Sequence, residues 1–124
     1  MIDARKFQVK ALLPPAARTA TANGTGLDIK DFLGGGTVVL HSAAGGGTTP
    51  TMNVKLQDSA DNSTFADVSG KTFTEVDDTA GGSLQEMEVD LDSLRRYIRL
   101  VVTIAGTSPS FACDAVLIAR KDGN

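Results

Sequence analysis

Apolar and polar side chains alternate in short runs along the chain, and each run ends in a cluster of glycine, aspartate, asparagine, serine or proline. Over 52–57, Met52, Val54 and Leu56 alternate with Asn53, Lys55 and Gln57, the period of a strand that buries one face and wets the other. Asp58, Ser59, Ala60, Asp61, Asn62 and Ser63 follow, mostly short polar side chains that bond their own backbone in turns. Residues 64–68 then restart an extended segment through Thr64, Phe65 and Val68, so the unit reads as strand, polar turn, strand.

The remaining runs have the same character. Leu27 and Ile29 alternate with Asp28 and Lys30 over 27–32, before Gly34, Gly35 and Gly36 break the pleat. Residues 37–42 are rich in β-branched side chains and predict another strand, and 45–50, rich in glycine and ending at Pro50, predict a loop. Ser69 and Gly70 predict a turn, 71–76 a strand and 77–83 a polar loop. Over 84–91, Met87, Val89 and Leu91 predict the buried side of a strand whose Glu86, Glu88 and Asp90 face water, and Asp92 is a candidate cap for one helical turn. Residues 97–105 carry Ile98, Leu100, Val102 and Ile104 on one face. Gly106, Thr107, Ser108 and Pro109 predict a turn, and 111–119, apolar on both faces except at Asp114, predicts a returning strand in the middle of a sheet.

Near the start, Phe7, Val9 and Ala11 alternate with Gln8 and Lys10 until Leu12, Leu13, Pro14 and Pro15 stop any helix and impose an extended path. Residues 1–26 read as an extended arm and 27–124 as the folded domain. Such an arm is stabilised only by lying on its own domain or on a neighbouring subunit. Phe7, Val9, Leu12 and Leu13 are therefore candidate assembly contacts, expected to order against a neighbour. Roughly seven or eight short strands with polar turns and no sustained helical period predict an all-β fold, a two-sheet antiparallel β-sandwich of jelly-roll-like type. A seven-stranded immunoglobulin-like sandwich is the competing topology.

Composition narrows the chemistry. A chain of 124 residues reads as one domain, large enough to bury roughly two thirds of the surface its unfolded form exposes. The 15 acidic and 12 basic residues, net −3, are mixed along the chain, which predicts neither nucleic acid nor an anionic membrane as partner. Charges at Asp3, Arg5, Lys6 and Lys10 argue against a secretory leader, and Arg99 interrupts the longest apolar run. Cys113 is the single cysteine, so no internal disulfide forms.

Candidate chemistry is sparse. Ser69, Gly70, Lys71 and Thr72 copy the end of a phosphate-binding loop. Phe65 stands where its first glycine belongs, and a strand follows where a helix is required. Asp58, Asp61, Asn62, Asp67, Asp77 and Asp78 have the oxygens of a calcium site without its spacing, and read as turn residues. His41 and Cys113 are one of each kind, the cysteine in an apolar strand where an inert buried thiol is the rule. No catalytic, cofactor or metal site is expected, and the chain is not expected to be an enzyme. Arg95, Arg96 and Arg99 form the one basic cluster and complete the candidate assembly contacts; Arg99 is expected to pair with Glu86 or Glu88 across a sheet, or with an acidic partner surface.

The run NVKLQDSADNSTFADV at 53–68, with LRRYIRLVVTIAGTSPSFACDAVLIARK at 94–121, resembles a family of small virion structural proteins of tailed bacteriophages, and GTGLDIKDFLGGGTVVLHSAA upstream is similar to that family's opening. The resemblance covers most of residues 20–121 and rests on scaffold residues. It implies a β-sandwich capsid decoration or cement protein that assembles as an oligomer on the head and stabilises the shell. The implied partners are the major capsid protein and copies of itself, as a trimer or small ring. The implied location is the virion, on the outer head surface after assembly in the host cytoplasm. The alternative that the resemblance carries is a head-fibre or tail-associated module binding another virion protein or a host surface glycan. Against the glycan stand the absence of Trp and a count of one Tyr and five Phe, several of which the core needs.

Overall fold

One strand organises the molecule. In the computed structural model, which describes residues 7–121, the chain runs from Tyr97 to Lys121 as a single strand of 25 residues. The elements in order are β1 (Phe7–Arg18), β2 (Ala22–Asn23), β3 (Leu27–Asp28), β4 (Phe32–Ser42), β5 (Gly46–Ser59), β6 (Ala66–Thr72), β7 (Ser83–Asp90), a 3-10 turn (Leu91–Ser93) and β8 (Tyr97–Lys121). Every pairing among them is antiparallel.

β8 belongs to both layers of an all-β two-sheet sandwich with a nearly barrel-like outline. Its second half lies between β1, in register from Arg120 opposite Phe7 to Phe111 opposite Arg18, and β4, whose far side carries β7. This first sheet has the order β1-β8-β4-β7. The first half of β8 pairs β5, from Tyr97 opposite Ser59 to Ala105 opposite Thr51, with β6 beyond β5 and the short β2 and β3 on the other side.

The turn expected at 106–109 is therefore a bend, and 111–119 does not return along 97–105. The reason lies in the partner strand. Gly106 (φ 118°) and Ser108 (φ 50°) take left-handed backbone on β8 while Gly47 (φ 98°) and Thr49 (φ 47°) do so on β5, and the register slips at Gly46, Thr48 and Thr51. Facing bulges kink both strands together, and the pair turns the corner from one sheet into the other without reversing. Two further glycine-marked breaks are likewise bulges within strands: β4 runs through Gly34–Gly36 with a slip between Leu33 and Gly36, and β6 continues past Gly70 (φ 74°). The cap of the helical turn lies two residues earlier than expected: Asp90, not Asp92, caps it by accepting the Asp92 N–H at 3.1 Å.

The inward faces close on one another. Val38, Leu40, Met52, Leu56, Ile98, Leu100, Phe111 and Leu117 are all fully buried. At ~1.5–3 kcal/mol for each large apolar side chain removed from water, these positions are the main stabilising term. The described part of the expected arm lies on this chain's own sandwich as β1. A slip between Ala11 and Leu13 breaks its alternation, so the adjacent Leu12 (1% exposed) and Leu13 (2%) both enter the core, whereas Phe7 and Val9 remain outside. Residues 1–6 of the arm and 122–124 of the domain lie outside the described residues.

The central hairpin turn is held by one carboxylate. Asp61 accepts from the backbone N–H groups of Thr64 (2.9 Å) and Ser63 (3.0 Å) and from the Ser59 hydroxyl (2.9 Å), with Asn62 in left-handed backbone (φ 60°). The Thr64 and Ser63 amides and the Ser59 hydroxyl bring its pKa down to about 2. Arg96 lowers that of Asp28, Gln57 with Lys55 that of Asp67, and Thr79 that of Asp77. A carboxylate whose folded pKa lies below its unfolded value of about 3.9 adds stability that is complete above that value and disappears as pH falls to the folded pKa. The urea midpoint is expected to drop between about pH 4 and pH 2, and Asp61→Asn to drop less over that interval. An unchanged slope in Asp61→Asn would remove Asp61 from this role.

Candidate assembly face

Cross-strand register on the first sheet fixes which side chains share its outer surface. Val9, Ile118, Thr37 and Glu88 form one row from β1 to β7, and Ala11, Val116, Val39 and Glu86 form the next. Asp114, His41 and Leu84 continue the sequence of rows on one side, and Phe7 with Arg120 on the other. The β1, β8 and β4 columns are thus apolar through their middle, while β7 carries the acids. Val9 is 63% exposed, Leu84 70%, Phe7 42% and Ile118 38%, with Val39 and Val116 half-buried. Toward Phe7 and Ile118 the surface dips into an open groove of about 540 Å³ also lined by Lys71, Glu88 and Asp90. A sheet face left to water normally carries polar side chains at these alternating positions; here β-branched residues occupy them.

The outer face of the second sheet is the opposite in kind. Lys55 reaches Asp67 at 3.0 Å, Gln57 donates to Asp67 at 2.8 Å, and Asn53 donates to Glu75 at 2.9 Å. These polar side chains are paired with one another across the strands.

The seven candidate contacts divide among three places. Phe7 and Val9 stand on the apolar face of the first sheet; Leu12 and Leu13 are in the core. Arg95, Arg96 and Arg99 lie at the start of β8 and just before it, in the second sheet. The backbone N–H, Nε and Nη2 of Arg95 donate to the Asp58 carboxylate at 2.9–3.1 Å, and Nη2 also to its carbonyl at 2.8 Å. Arg96 donates to Asp28 at 2.8 Å and lies 5.1 Å from the centre of the Tyr97 ring. Arg99 donates through Nε to Gln57 Oε1 at 2.9 Å and stacks 4.0 Å over Phe65. Its expected pairing with Glu86 or Glu88 does not form, because those glutamates are on β7 of the other sheet. Ile118, Val116, Val39 and Leu84 escaped the sequence reading. The signal for Val116 and Ile118 was the apolar character of 111–119 on both faces, which fits an interior strand and also means that the outer side needs cover.

His41, Cys113 and Asp114 border one open hollow of about 470 Å³ beside Ser42 and Ala112, with the cysteine and the aspartate on opposite sides of β8. His41 and Asp114 are cross-strand neighbours on the outer face, with Nδ1 to Oδ1 at 3.8 Å and the histidine side chain 69% exposed. Cys113 precedes Asp114 in the same strand and so projects inward, where it is 5% exposed and burial pushes its thiol pKa up. Lys71, from the phosphate-loop-like run, lies in a strand and donates to the Glu88 carbonyl at 2.9 Å. Among the described residues no three His, Cys, Asp or Glu side chains are grouped as metal ligands would be.

Comparison with known proteins finds no matching family model and no matching curated protein. Among solved structures the chain is similar to the SPBc2 prophage-derived protein YomS, with a TM-score of 0.53 and 10% sequence identity over 90% of this chain and 94% of that one. At that identity the likeness is one of fold.

Proposed function

We propose that this chain is a bacteriophage virion structural protein, a capsid decoration protein that assembles as an oligomer on the outer head surface and stabilises the shell. The observation that carries the reading is the apolar outer face of the first sheet, set against a second sheet whose polar side chains pair with one another. Contiguous exposed apolar surface on a small domain marks a site of protein contact. The fold shared with a prophage-derived protein and the phage-like sequence runs at 53–68 and 94–121 support a virion setting for that contact. In this reading the partners are the major capsid protein and further copies of the chain, as a trimer or small ring. The protein performs no chemistry and takes no cofactor, and weak contacts add up because many copies engage one lattice.

The test is binding to purified heads that lack the protein, followed by heating. Added chain is expected to co-sediment with heads at many copies per particle and to raise the temperature at which they release DNA. Absence of head binding overturns the reading, and selective recovery with tails would favour the fibre or tail-associated alternative.

A further inference from the structure

Asn23 and Gly24 stand where the chain, having left β1 in the first sheet, comes to lie on β8 in the second. Asn23 is exposed, and the backbone around it is held in three ways. The Thr21 hydroxyl accepts from the Ile104 N–H at 3.0 Å and donates to the Ile104 carbonyl at 3.4 Å, Ala22 and Asn23 pair with Val102 and Val101, and the Gly24 N–H donates to the Leu100 carbonyl at 2.6 Å. Glycine at 24 is imposed by the fold. A Cβ there would come within 2.9 Å of the Leu100 carbonyl oxygen and 3.1 Å of that of Leu12, both backbone atoms that side-chain rotation cannot move aside. When glycine follows asparagine, no side chain shields the next backbone nitrogen, and the backbone is free to turn that nitrogen onto the asparagine's side-chain carbonyl carbon. The fold thus holds a self-reactive pair under a strand of only two residues.

We propose that Asn23 is a self-modification site, converted to aspartate and isoaspartate when β2 lifts from β8. While the Gly24 N–H is bonded to Leu100, its nitrogen keeps its proton and stays fixed on β8. Once released, that nitrogen gives its proton to solvent base and attacks the Asn23 side-chain carbonyl carbon. The new C–N bond closes a succinimide ring, and the side-chain nitrogen leaves as ammonia. Water then opens the ring. Addition at the former side-chain carbonyl leaves aspartate, and addition at the backbone carbonyl leaves isoaspartate, in which the chain runs through the side-chain carbons. Either product adds a negative charge. The isoaspartate also puts an extra atom into the backbone between Ala22 and Gly24, so the Gly24 N–H no longer meets Leu100 while Ala22 stays opposite Val102, and β2 does not re-form. The other asparagines among the described residues lack this combination. Asn53 is followed by the buried Val54 within β5, and Asn62 by Ser63, which carries a side chain and whose N–H donates to Asp61 at 3.0 Å.

Incubation of the full chain in mildly alkaline buffer, followed by digestion, peptide mass mapping and labelling of isoaspartate with its methyltransferase, tests this. Asn23 is expected to convert fastest in the chain unfolded by guanidinium, and at least about tenfold more slowly in the folded chain, where conversion waits on local opening of β2. Thr21→Val removes one of the clamps and should speed conversion in the folded chain about two- to tenfold, the worth of one hydrogen bond. Thr21→Ser keeps the hydroxyl and should match the parent. Thermal melts check that both variants stay folded, so that a faster rate reports the lifting of β2 and not global unfolding. Equal rates in the folded and unfolded parent, a Thr21→Val chain no faster than its parent, a Thr21→Ser chain as fast as Thr21→Val, or earlier conversion at Asn53 or Asn62 would each overturn the inference.

Discussion

Phe111→Ala is expected to destabilise the fold by about 3–5 kcal/mol, more than any other single truncation in the core. Phe111 is fully buried and stands just past the bend of β8, where the two sheets part. Its ring fills that corner closely: a Cβ added at Gly45 would come within 2.6 Å of its Cε1 and Cζ atoms. Gly45 is itself tethered, its N–H donating to the Asp77 carbonyl at 2.9 Å, so the neighbouring backbone is not free to collapse into the space left by the ring. Urea denaturation at neutral pH measures the effect as a shift in midpoint at unchanged slope. A loss below about 1 kcal/mol would mean that the corner relaxes, contrary to the close packing of protein interiors.

Gly47→Ala is expected to cost about 2–4 kcal/mol, from two causes that act together. Gly47 holds φ at 98°, backbone that a side chain strains to adopt, and its Cβ would overlap the carbonyl oxygens of Thr107 and Ser108 on the facing strand. Because both partners are backbone at the shared bulge, relief requires the bend itself to open. Gly34→Ala provides the comparison. Gly34 has φ 74° with nothing within 4 Å of a Cβ, so it should lose only about 1–2 kcal/mol, the left-handed penalty alone. Equal losses at the two glycines would show that the β5–β8 corner tolerates displacement and is not what fixes the angle between the sheets.

The strands were legible in the sequence where one face is buried and the other wet. Met52, Val54 and Leu56 have no other arrangement that hides all three, and the same holds for Ile98, Leu100 and Val102. Glycine was where the reading failed, because Gly106 or Gly47 marks left-handed backbone without saying whether the chain reverses or merely kinks. The partner strand decides that, by carrying a matching bulge. The same limit hid the fate of Leu12 and Leu13: a one-residue slip turns both inward, and alternation alone cannot register a slip. As to the candidate face, Phe7 and Val9 were visible as apolar positions ahead of a proline stop. Val39 and Leu84 were not, since their kinship with Val9 and Ile118 exists only across strand pairings between residues far apart in the chain.

The two sheets divide the labour of the molecule. The second sheet spends its polar side chains on one another, with Asp58 and Asp28 neutralising Arg95 and Arg96 and Phe65 covering Arg99, while the first sheet keeps valine and isoleucine on a surface that none of the described residues covers. An image reconstruction of a particle carrying this protein, at a resolution that separates strands, tests that division most directly. Protein density is expected against the β1-β8-β4-β7 face, over Val9, Val39, Val116 and Ile118, with Lys55, Gln57 and Arg99 open to solvent. The opposite arrangement, with the second sheet seated on the shell and Val9 and Ile118 in water, would contradict it.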